Sequence, residues 1–455
     1  MGVRPALTNE QSMSRPQENR GRALLMAVEF PPLGGGGVLR ATKLARYLPG
    51  EGWRLSVLCT EELWVAHRDP SLLAEIPASV TVHRIPRPFS RPKQSAAGRM
   101  HSSANEGILR SIGRGLRRVY RSMIQIPDPF VGWAIRASRV SRSSAGDPDV
   151  IIASGPPHSM LFGGALLARR LSRPLVMDYR DEWTLSPFYR TAIPWRSVLE
   201  RWIERWGLRR AAMVVFVSEA SAARYREAFP EMADRCAVIP NGYDPADFVD
   251  LPPYSPYVPG DDRPIRIGHF GSLHDRRDPT VFLAALGRIV GSPPGDLPPI
   301  ELVLAGIIGT NQERLARQLV PARHLAIEPF KAHREALKRM ASCDILLVLS
   351  NHEEAGPAAL TGKIFEYLGM GRPILAIVPD GPAADLLKAA RAGISASPED
   401  PVEVEASILR AVRLASDPAS FDPDLDVVSL YDRRRQAADW ARLLARVVEK
   451  SAIRV

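Results

Sequence analysis

Short apolar runs and helix-length amphipathic stretches take turns along almost the whole chain. The runs fall at residues 23–30, 54–60, 81–86, 149–154, 174–180, 213–218 and 236–240, then at 265–272, 301–306, 324–330, 344–350 and 373–379. Many are apolar at every position, the pattern of parallel strands covered on both faces. Strand, helix, strand repetition over this distance predicts doubly wound parallel sheets. Midway, Asn241-Gly242-Tyr243-Asp244 leads into a proline-dense, aperiodic stretch at 251–260, and a fresh strand begins at Ile265. Such a stretch reads as a stiff linker. The expected fold class is α/β, two Rossmann-like domains facing each other across a cleft. Residues 23–245 form the upstream domain and 265–428 the downstream one, with 246–264 between them. Residues 1–22 read as a flexible extension. Residues 429–455 read as a terminal helix, with Ala438, Trp440, Leu443, Leu444 and Val447 at helical spacing.

Composition narrows the class. A chain of 455 residues is long enough for two full cores. A hydrophobic fraction of 45% excludes a largely disordered chain. The cysteines, Cys59, Cys236 and Cys343, are widely separated and form no CxxC pair. That spacing argues against a disulfide framework or structural zinc and for a reducing compartment. No apolar run reaches the roughly 18 residues of a spanning helix, and the polar N-terminus lacks a secretory pattern. The expected location is cytoplasmic, with the inner membrane face as a surface it can touch.

The charge is concentrated. Of a net +10, the segment 91–146 supplies nine, with eleven Arg and Lys opposed by Glu106 and Asp128 alone. On a helical wheel, 108–124 puts Ile108, Leu109, Ile112, Leu116, Val119, Tyr120, Met123 and Ile124 on one side. Arg110, Arg114, Arg117, Arg118 and Arg121 take the other. This is the layout of a helix lying on an anionic membrane; docking of the stripe on the upstream domain, with solvated arginines, stays open. Nucleic-acid binding finds no support in aromatic interleaving or a recognition motif.

Chemistry-bearing residues gather where strands end. The first strand runs into Gly34-Gly35-Gly36-Gly37 and then a helix from about Arg40 to Leu48. Such a turn lets backbone N–H groups approach a diphosphate at a helix start. The spacing is not GxGxxG, so a dinucleotide is not indicated. The fourth strand ends in Ser154-Gly155-Pro156-Pro157-His158 and the fifth in Asp178-Tyr179-Arg180-Asp181. Ligands of open α/β sheets sit beyond these carboxyl ends. His158 is a candidate proton carrier near neutrality or a hydrogen-bond donor to a sugar hydroxyl. Arg180 and Asp181 are sugar-positioning groups or a plain ion pair. Downstream, Gly271-Ser272-Leu273-His274-Asp275-Arg276-Arg277 follows a strand, and arginines there suit bidentate phosphate contacts. In Gly362-Lys363-Ile364-Phe365-Glu366, Lys363 and Glu366 share a helix face. A cation for phosphate beside a carboxylate for vicinal hydroxyls is what a nucleotide-sugar needs.

Taken together, FPPLGGGGVLRATKLARYLPGEGW, ASGPPHS, PLVMDYRDEW, VSEA, VIPNGYDP, IGHFGSLHDRRDP and TGKIFEYLGMGRPILAIVPDG span most of residues 24–395. In this order and spacing the chain resembles family-four glycosyltransferases of the GT-B fold, in the branch found in surface-polysaccharide synthesis. The resemblance implies a nucleotide-sugar donor held mainly by the downstream domain and a glycan or lipid-linked acceptor held mainly by the upstream one. It also implies retention of anomeric configuration without metal or cofactor, and a last helix that crosses back to the upstream domain. Carried over, Glu366 matches the ribose-binding carboxylate, Arg277 the cation facing the leaving diphosphate, and Gly36 and Gly37 the glycine pair of the first loop. Three departures stand out. Ala358 occupies the place of a second glutamate, with Glu353 and Glu354 further upstream, Ser272 replaces a basic residue, and Arg180-Asp181 stands where many members have histidine. The expected donor site is then Gly36, Gly37, Gly271, Ser272, Arg277, Lys363, Phe365 and Glu366. The expected catalytic groups are His158, Arg180, Asp181, Arg277 and Lys363. A nucleotide-sugar 2-epimerase and a non-catalytic nucleotide-sugar binder remain alternatives.

Overall fold

The computed structural model describes residues 19–61, 68–87, 125–187, 189, 193–252, 257–258, 260–274, 278–295, 297–350 and 362–453. The upstream sheet has seven strands: β1 Gly21–Met26, β2 Trp53–Thr60, β3 Thr81–Ile85, β4 Val150–Gly155, β5 Leu175–Tyr179, β6 Met213–Phe216 and β7 Cys236–Val238. They lie in the order β3-β2-β1-β4-β5-β6-β7, every pair parallel. The downstream sheet has six: β8 Ile265–Leu273, β9 Ile300–Ile308, β10 Leu325–Glu328, β11 Ile345–Leu349, β12 Ile374–Ile377 and β13 Gly393–Ala396. Their order is β10-β9-β8-β11-β12-β13, again all parallel. In each sheet the order reverses beside the first strand, between β1 and β4 and between β8 and β11. A crevice opens at such a reversal, outside the carboxyl ends of the strands.

Burial explains the strand sequences. Val150 to Gly155 and Ile345 to Leu349 are buried at every position, because helices cover both faces of each sheet. One apolar layer packs Leu24, Met26, Ile151 and Met177 under Trp133, Leu161 and Tyr225. The opposite layer packs Leu25, Leu55, Ile152 and Val215 under Ala41, Leu44 and the last helix, Arg433–Ala452, through Trp440, Leu443, Leu444 and Val447. The terminal helix therefore crosses back and completes the upstream core. Its entry is fixed by main-chain bonds, Tyr243 N to Tyr431 O at 3.0 Å and Arg433 N to Tyr243 O at 2.9 Å, and Asp432 caps it by accepting from Arg434 N.

Several expectations shift in detail. The first helix begins at Gly36, ahead of Arg40. The residues of its first turn have no intrahelical partner for their N–H groups, so glycine there costs less than in a helix interior. Strand β1 starts at Gly21, inside the stretch expected to be a free extension. Strand β13 leaves no mark in the sequence, since three half-buried residues and one buried one carry no readable period. The amphipathic segment 108–124 lies outside the described residues. Among those described, no helix is long and apolar enough to cross a membrane.

Candidate active site

Both sheets end on one cavity of about 890 Å³. Its upstream wall is built around Arg180, which follows β5. The guanidinium donates to the carbonyl oxygens of Gly37 and Pro156 and lies 3.5 Å from Glu29 Oε2. It thereby clamps the glycine loop to the loop after β4. A methyl group on Gly37 would meet the Glu29 carboxylate, the movable end of a flexible side chain, and sit 3.2 Å from Arg180 Nη1; the position in this loop whose backbone calls for glycine is Gly35, at φ 110°. Behind it, buried Arg40 donates to Asp178 at 2.8 and 3.1 Å and to the Pro240 and Ile239 carbonyls at 2.9 and 3.0 Å. Ser154 Oγ donates to the same carboxylate at 2.8 Å. The helix Gly36–Tyr47 is thus bolted to the ends of β4 and β5 and to the segment after β7.

His158 lies on the cavity wall as the residue before the helix Ser159–Leu171. Its ring stacks on Trp183, centroids 5.3 Å apart and planes 3° from parallel. Burial, reinforced by the Arg180 guanidinium, pushes its pKa down to about 3. The imidazole is therefore neutral at physiological pH. The expected proton carrier near neutrality is not there; what stands there is a fixed, uncharged hydrogen-bonding group whose Nδ1 meets no partner among the described residues. Trp183 is held in turn by Glu200, which accepts from its Nε1 at 3.1 Å and from Arg196 Nε at 2.6 Å. Glu204 accepts from Tyr225 Oη at 2.7 Å, Tyr179 Oη at 3.3 Å and Thr184; burial outweighs these bonds and pushes its pKa up to about 7. Asp181 and Glu182 line the same wall. Burial raises the pKa of Asp181 against the pull of Arg180, and Glu182 pairs with Arg224.

The downstream wall carries Gly271 and Ser272 at the end of β8 and Gly362, Lys363 and Glu366 at the start of the helix Gly362–Met370. Lys363 Nζ lies 2.7 Å from Glu366 Oε2. Burial pushes the Glu366 pKa up, but Lys363, His333 and Arg433 together hold it below its usual value. It is a buried carboxylate kept ionised by three basic neighbours. Phe365, expected in the donor site, is instead fully buried among Leu346, Ile374 and Leu368, with its ring 5.0 Å from that of Tyr431. It lies about 200° around the helix from Lys363 and so supports the helix from behind. Arg277, Ala358, Glu353 and Glu354 lie outside the described residues.

Two groups were missed. Arg433, first residue of the returning helix, reaches the cavity, with Nε donating to Gly242 O at 3.1 Å. Burial, with Arg40 nearby, pulls its pKa down to about 9 against Glu366, Asp244 and Asp178; at neutral pH it is a half-buried cation. No local signal marks it, because only the crossover brings it here. Lys43 is the second. Its Nζ sits 2.5–2.8 Å from Glu75, Asp244 and Asp247. These carboxylates approach one another closely enough to resemble a metal site, but the ammonium fills their centre. Asp247 also meets His333 Nε2 at 3.2 Å, and His333 N donates to Asp69 Oδ2 at 2.6 Å. The two lobes are tied here at the hinge.

The helix starts set the electrostatics. Helices Gly36–Tyr47, Ser159–Leu171, His333–Ala341, Gly362–Met370, Pro382–Ala389 and Arg433–Ala452 all begin at the cavity. Charged side chains of both signs line it, and the helix N-termini add partial positive charge; some of their N–H groups are already taken, His333 N by Asp69, Ser159 N by Asp128 and Arg434 N by Asp432. A two-lobed α/β protein with an anion-seeking cleft is the class these features define.

Comparison places that class. Residues 35–242 match the family model of the glycosyl transferase 4-like domain, so the upstream domain belongs to that family and the chain has the GT-B glycosyltransferase fold. The chain is similar to Anabaena HepE, solved in complex with UDP, at 17% identity over 93% of this chain and 99% of that one, with a TM-score of 0.58. It is similar to sucrose-phosphate synthase from Thermosynechococcus elongatus at 15% identity over 95% and 100%, TM-score 0.61. A putative UDP-N-acetylglucosamine 2-epimerase from Listeria monocytogenes aligns at 13% identity over 91% and 93%, TM-score 0.51. No curated protein matches it in sequence.

Proposed function

We propose that this glycosyltransferase moves a sugar from a nucleotide-diphosphate donor, seated mainly against the downstream lobe, to a glycan or lipid-linked acceptor seated against the upstream lobe. The observation that carries the reading is the Lys363–Glu366 pair in a cavity where helices of both lobes begin. Glu366, ionised and buried, suits the vicinal hydroxyls of a ribose, while Lys363, Arg433 and the helix N-termini suit a diphosphate. Arg277 belongs to the same proposed role.

In the reaction the bond from the sugar's anomeric carbon to the diphosphate oxygen breaks, and its electron pair leaves with the nucleotide. The acceptor oxygen bonds to that carbon on the same face, which retains configuration, and its proton passes to the departing diphosphate. The protein's part is to stabilise developing negative charge and hold the acceptor in line. Lys363, Arg433 and the glycine-loop amides supply the first. Asp181 and the neutral His158 imidazole position sugar hydroxyls, and Arg180 acts through the loop it clamps. No metal enters this scheme.

A thermal-shift panel of nucleoside diphosphates and their sugars tests donor binding, since a selective ligand stabilises the folded state by mass action. Product analysis then separates the chemistries. A new glycosidic bond on an added acceptor supports transfer. An isomerised sugar with free nucleotide identifies an epimerase instead, and no stabilisation by any nucleotide refutes the reading.

A further inference from the structure

The helix Pro194–Arg210 turns Glu200, Glu204, Gly207 and Leu208 inward, where the two glutamates support the cavity wall through Trp183 and Thr184. Its outer face carries an apolar stripe. Trp195, Val198 and Trp202 are 47%, 71% and 61% exposed, and their spacing of three and seven residues stacks them along one line of the helix. Arg201, Arg205, Arg209 and Arg210 border that line. Among the described residues their acidic partner is Glu231, 2.9 Å from Arg205 and 3.3 Å from Arg209, so the face keeps a positive excess. On the same helix, Arg196 donates to the Pro127 carbonyl at 2.8 Å and the Gln125 carbonyl at 3.5 Å.

We propose that this stripe docks on an anionic lipid bilayer. The tryptophans, with Val198 between them, enter the boundary between headgroups and acyl chains, where indole rings are favoured, and the arginines meet lipid phosphates. Three side chains in a narrow row fall far short of the roughly 800 Å² per partner of a stable protein interface. Cationic flanks around an apolar row suit a phospholipid surface far better than the charge-depleted core of a protein contact. The position has a consequence. Ser186 and Pro187 line the cavity, a few residues before the helix begins at Pro194. Docking would hold the upstream lip of the cavity beside the headgroups, so an acceptor with a lipid tail reaches the site without leaving the membrane. That consequence rests on the acceptor proposed above; the docking itself does not.

Flotation of the full chain with vesicles decides the matter, using phosphatidylcholine alone and phosphatidylcholine with phosphatidylglycerol, at low and high salt. The expected result is co-flotation with the anionic vesicles only, weakened by salt, and lowered at least about tenfold in Trp195→Ser/Trp202→Ser. The variant should keep the wild-type unfolding temperature, since the side chains are exposed. Arg201→Gln/Arg209→Gln should lose part of the binding and part of its salt dependence. Wild-type protein that stays at the bottom overturns the proposal, as does a tryptophan variant that floats like wild type. A wild-type chain that elutes as a dimer while the variant elutes as a monomer also overturns it, by showing a second copy on the stripe. Vesicle binding requires neither donor nor acceptor, so its failure would leave the transferase reading standing.

Discussion

Arg433 offers the sharpest test, because its structural and its binding roles have opposite signs. The perturbation is Arg433→Met, similar in length and uncharged. Burial depresses the pKa of Arg433 to about 9, well below the ordinary guanidinium value. A base with a lowered folded-state pKa is charged at a cost to the fold at every pH below that value, so at pH 7 its charge opposes folding. Replacing a buried charge by an apolar group of similar volume is neutral to stabilising by about 1–4 kcal/mol. Against this stands the bond from Nε to Gly242 O, whose loss costs about 1 kcal/mol. The ligand-free variant is therefore expected to unfold at or above the wild-type temperature. Donor binding moves the other way. A charge-assisted bond to a phosphate contributes about 1.5–3 kcal/mol, so the affinity for nucleoside diphosphate should fall roughly 10- to 150-fold. With ligand at about 100 times the wild-type dissociation constant, the stabilisation of about 2.7 kcal/mol should shrink to about 0.3–1.4 kcal/mol. Thermal unfolding with and without nucleotide, alongside titration calorimetry, reads both quantities. A variant that is destabilised when empty yet binds nucleotide with wild-type affinity would show that Arg433 is a structural tie and would refute the reasoning.

Other outcomes follow from the same geometry. His158, with its pKa near 3, remains neutral across physiological pH, so transfer should show no limb between pH 5 and 8 assigned to it; a limb that disappears in His158→Gln contradicts this. The sign for stability is that of a lowered base: from about pH 6.5 downward the unfolded chain takes up a proton at this residue that the folded one refuses, so His158 destabilises the fold progressively with acid, and His158→Gln should flatten that part of the curve. Lys43→Ala leaves Glu75, Asp244 and Asp247 without their central cation and should cost about 3–5 kcal/mol, measured by denaturant unfolding. Calcium or manganese should restore part of that loss in the variant and leave the wild type unchanged. Arg180→Lys keeps a charge but releases one of the two carbonyls it clamps, so activity should fall with little change in unfolding temperature; an unaltered rate would remove the glycine loop from the mechanism.

The strands were legible because their chemistry is local. Runs such as Ile151-Ile152-Ala153 and Leu346-Leu347-Val348 are apolar throughout because helices cover both faces, and that burial leaves a mark in any short window. Strand ends were legible for a related reason: a buried run must stop where polar residues begin, and in a doubly wound sheet those stops share one edge. His158, Arg180, Asp181 and Ser272 follow from this rule, Glu366 from its spacing to Lys363 on a helix, and all line the cavity.

The misses arise where position in space depends on more than the local window. Phe365 sits between two cavity residues in sequence, yet one helical step of about 100° turns it from the ligand wall into the core against Tyr431. Here adjacency in a motif misleads and angle decides. For His158 the sequence leaves open a proton carrier or a neutral hydrogen-bonding group, because the choice depends on burial and on Arg180, which the chain brings alongside only after folding. Arg433 is the extreme case. In the sequence it is the first of three arginines and looks solvated like Arg434 and Arg435, which are exposed. Its burial follows from the returning helix: once Trp440, Leu443 and Leu444 are committed to the upstream core, the helix must begin beside Gly242, and its first residue is carried to the hinge where both lobes meet.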